Sequence, residues 1–88
     1  MTPDDDRIAA TIFALLQARA TGRTICPSEA ARALADGDAA WRALMPEVRR
    51  VAAALADAGR LCVTAKGKDV DALQAQGPIR LGRPHRSD

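Results

Sequence analysis

Five basic side chains in this sequence have the types and the spacing that bind a polyanion. Arg49 and Arg50 stand next to each other, Lys66 and Lys68 lie on either side of a glycine, and Arg80 comes further along. Arginine can donate two parallel hydrogen bonds to guanine, and lysine neutralises backbone phosphates. These five residues are therefore the candidate nucleic-acid-binding residues, and double-stranded DNA is the partner that they predict.

Arg42 and Arg49 form a second candidate site, for a single anion. Residues seven apart lie on the same side of a continuous helix, two turns from each other. Two guanidinium groups in line can hold a carboxylate or a phosphate in forked hydrogen bonds. Trp41 could wall such a site, and Arg80 could approach it. The alternative is that both arginines pair internally with acids of the preceding helix and turn, namely Glu29, Asp36 or Asp38.

The chain has no recognisable catalytic or metal-binding motif. Its one histidine is His85, and its two cysteines, Cys26 and Cys62, are widely separated, whereas a zinc site needs a compact group of ligands. No nucleophile has a nearby histidine or lysine base, and the glycines do not form a phosphate-cradling loop. We therefore expect no enzymatic activity, no cofactor and no metal, and we expect both cysteines to be free thiols in strands.

Charge and hydropathy restrict the partner and the location. The net charge is only +2, but residues 48–88 carry eight basic and four acidic side chains, so the positive potential belongs to the C-terminal half. The N-terminus has no signal-peptide pattern, and no apolar run is long enough to span a bilayer. The sequence therefore predicts a cytoplasmic protein with no membrane partner. Its length of 88 residues predicts one domain.

The first predicted element is a helix that ends before Gly22. Thr2 is placed to cap it, Pro3 suits its first position, and the acidic residues 4–6 complement the positive end of the helix dipole. Its apolar side chains recur at helical spacing, which predicts one buried face made of Ile8, Ile12, Leu15 and Leu16.

Two more helices follow a short β-type run at residues 24–26. A proline at its start, an acid in its first turn and several alanines predict a helix over residues 27–35. The next helical segment contains Pro46, which cannot donate to the helical hydrogen-bond ladder. We therefore predict a short helical turn over residues 39–45 and a main third helix over residues 46–58.

The remaining predicted elements are strands. Residues 61–64 have strand composition, residues 66–69 predict a charged turn, and residues 77–81 form an extended run that can pair back onto residues 61–64. The predicted fold class is mainly α with a small β-hairpin, a winged helix-turn-helix with three helices and a two- to three-stranded sheet. It covers residues 1–81, and residues 82–88 are predicted to be a flexible tail.

Several short motifs carry a resemblance that spans most of the chain. They are Pro27-Ser28-Glu29 with Ala31-Arg32, Trp41-Arg42 with Leu44-Met45, Val48-Arg49, Leu55 with Gly59, and Gly77-Pro78-Ile79-Arg80-Leu81. With these motifs in this order, the chain resembles an uncharacterised bacterial family, the domain-of-unknown-function family 3253. The resemblance implies a winged-helix-like fold. It implies no activity and assigns no functional residues.

The function that we expect follows from the predicted fold. In a winged helix-turn-helix the third helix enters the major groove, and the hairpin touches the DNA backbone. The third helix here turns a stripe inward at Val48, Val51 and Leu55. Its outward face offers few polar groups to base edges, because it consists of Arg50, Ala53, Ala54 and Asp57.

We therefore expect DNA binding by shape and charge, and a role in transcription would suit such a domain. Single-stranded RNA is a poor candidate, because the chain has no tyrosine and only one phenylalanine and one tryptophan to stack on bases. The alternative expectation is a protein-interaction or structural module, including a homodimer, that binds no nucleic acid.

Overall fold

The structure, a computed structural model, describes residues 3–20 and 22–84. In chain order its elements are α1 (Asp5–Gln17), α2 (Pro27–Leu34), α3 (Asp38–Asp57), β1 (Cys62–Ala65), β2 (Lys68–Asp69) and β3 (Arg80–Gly82). The predicted fold class, three helices with a small sheet, is confirmed. Of the helices in these residues, none is long and apolar enough to cross a lipid bilayer.

The N-terminus of α1 is capped by Asp4. The Arg7 N–H donates to the Asp4 carboxylate at 2.9 Å, and the acidic residues 5 and 6 complement the helix dipole in the first turn. The prediction that Pro3 is the first helical residue is wrong, because the side chain that reaches an unpaired N–H of the first turn belongs to Asp4. The predicted cap, Thr2, lies outside the described residues.

The start of α2 is as predicted, with Pro27 as its first residue. The Cys26 N–H donates to the Glu29 carboxylate at 2.7 Å, which satisfies a backbone donor that the helix leaves free. Cys26 is therefore the N-cap of α2 and not a strand residue. The predicted strand around it is reduced to a single bridge between Ile25 and Leu81.

Pro46 lies inside one continuous helix, α3, so the prediction of a break at this residue is wrong. A proline removes the helical hydrogen bond to the carbonyl four residues earlier, here that of Arg42. Both residues are exposed, so water has access to this side of the helix. Leu44 and Val48, on either side of the proline, are buried, and their packing against the core holds the two halves of α3 in one helix.

The three strands form one antiparallel sheet in the order β2-β1-β3. The register pairs Val63 with Leu81 and Thr64 with Arg80, which confirms that the end of the chain returns onto the predicted strand at residues 61–64. Ile25 and Leu81 exchange two backbone hydrogen bonds of 2.8 Å. The sheet therefore joins the segment before α2 to the C-terminal strand.

The hairpin between β1 and β2 turns at Lys66 and Gly67. Both residues have positive φ, 53° and 82°, as the tight two-residue turns that match the strand twist require. Lys68 and Asp69, which the sequence placed in the turn, form the short strand β2 instead. Gly82, which the sequence placed in the tail, is the buried last residue of β3.

One apolar core lies between the helices and the sheet. Val48, Val51 and Leu55 face it as predicted. Ala53, predicted to point outward, is also buried, because α3 contacts α1, α2 and β1 and a wide arc of its surface is covered. The largest fully buried side chains come from α1, the segment before α2, α3 and the region of β3: Ile8, Ile12, Ile25, Val48, Ile79 and Leu81.

Candidate nucleic-acid interface

Two parts of the fold carry the predicted nucleic-acid-binding residues. The helix-turn-helix consists of α2, the connection at residues 35–37 and α3. Residues 62–82, here called the wing, contain the three strands and the segment that links β2 to β3. The way in which the wing is attached to α3 determines which cations remain available to a partner.

Arg49 attaches the wing to α3. Its guanidinium donates to the carbonyl oxygens of Ala75 and Gly77 at 3.3 and 3.0 Å, and the residue is half-buried. Both contacts reach the segment between β2 and β3, which has little regular structure to hold it in place. The described geometry therefore gives Arg49 a positioning role, with two of its donors already used inside the protein.

Arg50 is neutralised by two carboxylates. It donates to Asp5 at 2.6 and 3.0 Å and also pairs with Glu47 on its own helix. Hydrogen bonding and the charge of Arg50 hold the pKa of the Asp5 carboxyl below its usual value, and the same bonds to Asp5 and Glu47 raise the pKa of Arg50. The side chains of Arg50 and Asp5 are 46% and 60% exposed, so solvent weakens the attraction. The pair links α1 to α3.

Arg80 holds β3 against the segment before α2. It donates to the Thr24 hydroxyl at 2.8 Å and to the Thr24 carbonyl oxygen at 2.9 Å. These two bonds continue the connection that the neighbouring Ile25–Leu81 bridge makes between the same segments. Arg80 is exposed, but its guanidinium already has partners within the fold.

Lys66 and Lys68 are the predicted residues that stay open to a partner. Both are exposed, Lys66 at the hairpin tip and Lys68 in β2. Within residues 3–20 and 22–84 neither ammonium group has a hydrogen bond or an ion pair. The two lysines therefore place two positive charges on the wing that have no ion pair among these residues.

The predicted pair of Arg42 and Arg49 is divided between two environments. Arg49 binds the wing carbonyls, whereas the guanidinium carbon of Arg42 lies 4.8 Å from the centre of the Trp41 ring. Arg32, from α2, lies 4.4 Å from the same ring centre. Arg32 could not be found from the sequence, because its proximity to Trp41 depends on the angle between two helices and leaves no local pattern.

None of the acids that we considered as internal partners forms an ion pair with Arg42. Glu29 forms its ion pair with Arg19. Asp38 accepts a hydrogen bond from the Trp41 indole N–H at 3.3 Å. Among the described residues no carboxylate lies within ion-pair distance of Arg42, so the internal pairing that we weighed for it is not found.

An open groove separates α3 from the wing and has an apolar floor. Its volume is about 420 Å³, and it is lined by Arg42, Met45, Pro46, Arg49, Ala72 and Leu73. Leu73 is 62% exposed, the one large apolar side chain among the described residues that is left in solvent to this extent. Leu73 could not be found from the sequence either, since a lone leucine in a polar segment fits no helical or strand period.

The two thiols and the acids form no compact ligand group. Within the described part of the chain no three His, Cys, Asp or Glu residues stand close enough to hold a metal ion. Cys26 and Cys62 are both half-buried, and they are not joined by a disulfide. Burial raises the pKa of the Cys62 thiol, and its hydrogen bond to Asp69 and the charge of that carboxylate raise it further. Cys62 is therefore a poor nucleophile at neutral pH.

A helix-turn-helix followed by a strand hairpin beside its third helix defines the winged-helix class of domains. Residues 5–84 match the family described as Protein of unknown function (DUF3253), and the chain belongs to this family. The comparison with curated proteins gave no match. The family assignment confirms the resemblance found in the sequence, and it assigns no activity.

Proposed function

We propose that this chain is a non-catalytic winged-helix module that binds double-stranded DNA through backbone phosphates. The observation that carries the proposal is the conformation of Lys66 at the hairpin tip. Lys66 is the one non-glycine residue with positive φ in the described part of the chain. A left-handed backbone costs a residue with a Cβ about 1–2 kcal/mol, and strained positions of this kind cluster at functional sites.

The identity of the residue at this turn position supports a role in binding. Tight hairpin turns of this type favour Asn, Asp or Gly, and a lysine does not stabilise the turn. The lysine does place an ammonium group at the outermost point of the wing, with that of Lys68 two residues further along. In winged helices this part of the fold touches the DNA backbone or the minor groove.

The composition of α3 favours phosphate contacts over base reading. Its exposed residues include Ala39, Ala43, Pro46 and Ala54, which have no side-chain donors for base edges. Arg50, on the same helix, is paired with carboxylates. Binding of this kind has little dependence on sequence and a strong dependence on salt, which suits a chromosome-associated or transcription-associated module.

The variant Lys66→Asn tests the proposal. Asparagine tolerates the left-handed backbone, so we expect the free energy of unfolding to stay unchanged or to rise by up to about 1 kcal/mol. The affinity for a short labelled duplex should fall about fivefold at low salt, and the slope of log K against log salt should become shallower by about 0.9. Fluorescence anisotropy at several salt concentrations and urea unfolding measure the two effects.

Arg60→Gln is the control that removes the same charge elsewhere. Arg60 stacks on Phe13 just beyond the end of α3, and the length of β1 separates it from Lys66 at the hairpin tip. Its loss should change the affinity for the duplex by less than twofold. Equal losses in both variants would show general charge attraction without use of the wing. A wild-type protein that fails to bind duplex at low salt ends the proposal.

The second candidate function is self-association, and the exposure of Leu73 favours it. The groove between α3 and the wing has an apolar floor and a basic side chain, Arg42, at its edge. Of the exposed acids at the start of α1, Asp4 caps the helix and Asp5 pairs with Arg50, so Asp6 provides the complementary charge on a second copy of the chain. An exposed apolar surface edged by charge is a common feature of protein contacts.

This candidate predicts dimers whose amount depends on concentration. Size-exclusion chromatography with light scattering, from low micromolar to millimolar protein, should detect them, and Leu73→Ser should return the protein to the monomer. Ala54→Ser, which introduces the same hydroxyl group at an exposed position of α3, should leave the dimer unchanged. A wild-type protein that stays monomeric throughout this range rules out the homodimer.

A further inference from the structure

We propose that Arg32 and Arg42 together bind one phosphate group, which in the functional complex is a backbone phosphodiester of duplex DNA. The site lies on the helix-turn-helix, with Arg32 on α2 and Arg42 on α3. It lies apart from the hairpin tip that carries Lys66, and it rests on the proposed DNA-binding function for the source of the phosphate. It replaces the pair of Arg42 and Arg49 considered from the sequence, since Arg49 is bound to the wing.

Trp41 brings the two arginines together and positions them. Its ring is half-buried and packs against the core, so it is a fixed support. The guanidinium carbons of Arg32 and Arg42 lie 4.4 and 4.8 Å from the ring centre, within the range of a cation–π contact. Both side chains otherwise extend into solvent, and this contact reduces the conformational entropy that each would lose on binding a ligand.

The cation–π contact leaves the hydrogen-bonding edges of both groups available. A guanidinium stacks through its face, whereas its N–H groups point outward in the plane and can form forked bonds to oxyanions. Within residues 3–20 and 22–84, neither Arg32 nor Arg42 has a hydrogen bond or an ion pair with an acidic side chain. Two positive charges are therefore held beside one ring, and neither is paired with a carboxylate among these residues.

The two guanidinium groups lie close enough for one phosphate to bridge them after at most a small movement of these exposed side chains. The guanidinium carbons can be no farther apart than their two distances to the ring centre combined, about 9 Å. In a forked pair the guanidinium carbon lies about 4 Å from the phosphorus, so two arginines on one phosphate are separated by about 8 Å or less. Asp38 accepts a hydrogen bond from the indole N–H, so one carboxylate stands beside the two guanidinium groups and the site keeps a net positive charge.

Trp41 also makes the site directly observable, because it is the only tryptophan in the chain. We would titrate the wild-type protein with a short labelled duplex at low salt and follow duplex anisotropy and Trp41 emission together. We expect Trp41 emission to change in step with binding. In the variant Arg32→Gln/Arg42→Gln the emission change should be lost, the affinity should fall about tenfold, and the salt slope should become shallower by about 1.8.

Arg60→Gln/Arg83→Gln is the matched control. These two arginines line a groove beside Phe13, so the variant removes the same charge at a different place. It should keep the emission change and most of the affinity. Thermal unfolding of both double variants checks that they fold. If duplex binds to Arg32→Gln/Arg42→Gln as tightly as to wild type, the site is overturned while the proposed function stands.

Two further ligands identify the source and the chemistry of the anion. Inorganic phosphate should change Trp41 emission only at millimolar concentration, and a response as tight as that of the duplex would overturn the phosphodiester assignment. Poly-glutamate of equal charge should compete weakly, and equal competition would overturn the choice of phosphate over carboxylate. If wild type binds no duplex, the proposed function fails. The site then survives only if a phosphate response is present in wild type and lost in Arg32→Gln/Arg42→Gln.

Discussion

Leu81→Ala should lower the free energy of unfolding by about 3 kcal/mol, because it removes a fully buried side chain and leaves a cavity. Leu81 is 0% exposed. It pairs with Val63 on one side and with Ile25 on the other, so it lies between β1 and the segment before α2. A domain of this size has a total stability of about 4–13 kcal/mol, so this loss is a large part of it. Urea unfolding followed by circular dichroism should show a lower midpoint with an unchanged slope.

Leu73→Ala is the control for this result. It deletes the same atoms from a side chain that is 62% exposed, so the free energy of unfolding should change by less than about 0.5 kcal/mol. Equal effects of the two substitutions would contradict the position that the structure gives to β3. A larger effect at Leu73 would mean that the groove beside α3 is covered in solution.

Arg49→Ala should release the segment between β2 and β3 from α3. The substitution removes charge-assisted hydrogen bonds to two carbonyl oxygens, and we expect a loss of about 2 kcal/mol in the free energy of unfolding. The Ala75 N–H, which donates to the Asp71 carbonyl oxygen at 2.9 Å, should exchange its hydrogen about tenfold faster. Hydrogen exchange followed by NMR measures this directly, with the Ile25 amide in the sheet as an internal reference.

Two other substitutions of Arg49 separate the effect of its hydrogen-bond donors from the effects of its charge and its apolar stem. Arg49→Met keeps most of the apolar stem but no donor, so it should behave like Arg49→Ala. Arg49→Lys keeps the charge but replaces the planar, forked guanidinium with a compact ammonium group, so it should restore only part of the protection. If Arg49→Ala weakens duplex binding and leaves exchange at Ala75 unchanged, then Arg49 acts on the ligand and does not hold the wing.

The helices and the core could be predicted from the sequence because their causes are local. Ile8 and Ile12 recur at helical spacing, and both are fully buried. Pro27 predicted the start of α2 correctly. Pro46 did not break α3, because the burial of residues on both sides outweighs the loss of one hydrogen bond, and that balance depends on tertiary packing.

The roles of the basic residues could not be predicted in the same way. Their types and approximate spacing identify them as cations, but their partners lie far away in the chain. Arg49 binds carbonyl oxygens 26 and 28 residues later, and Arg80 binds Thr24, 56 residues earlier. The stack of Arg32 on Trp41 depends on the packing of α2 against α3. No local pattern in the sequence contains such information.

The pairing of Ile25 with Leu81 has a consequence for synthesis on the ribosome. The helices can form as they emerge, but the sheet has no partner for Ile25 until residues 80–82 have left the exit tunnel. Until then the nascent chain lacks two of its largest buried side chains, Ile79 and Leu81, and the surface they cover is open to chaperones and proteases. Native folding is therefore completed late, after nearly all of the domain has been translated.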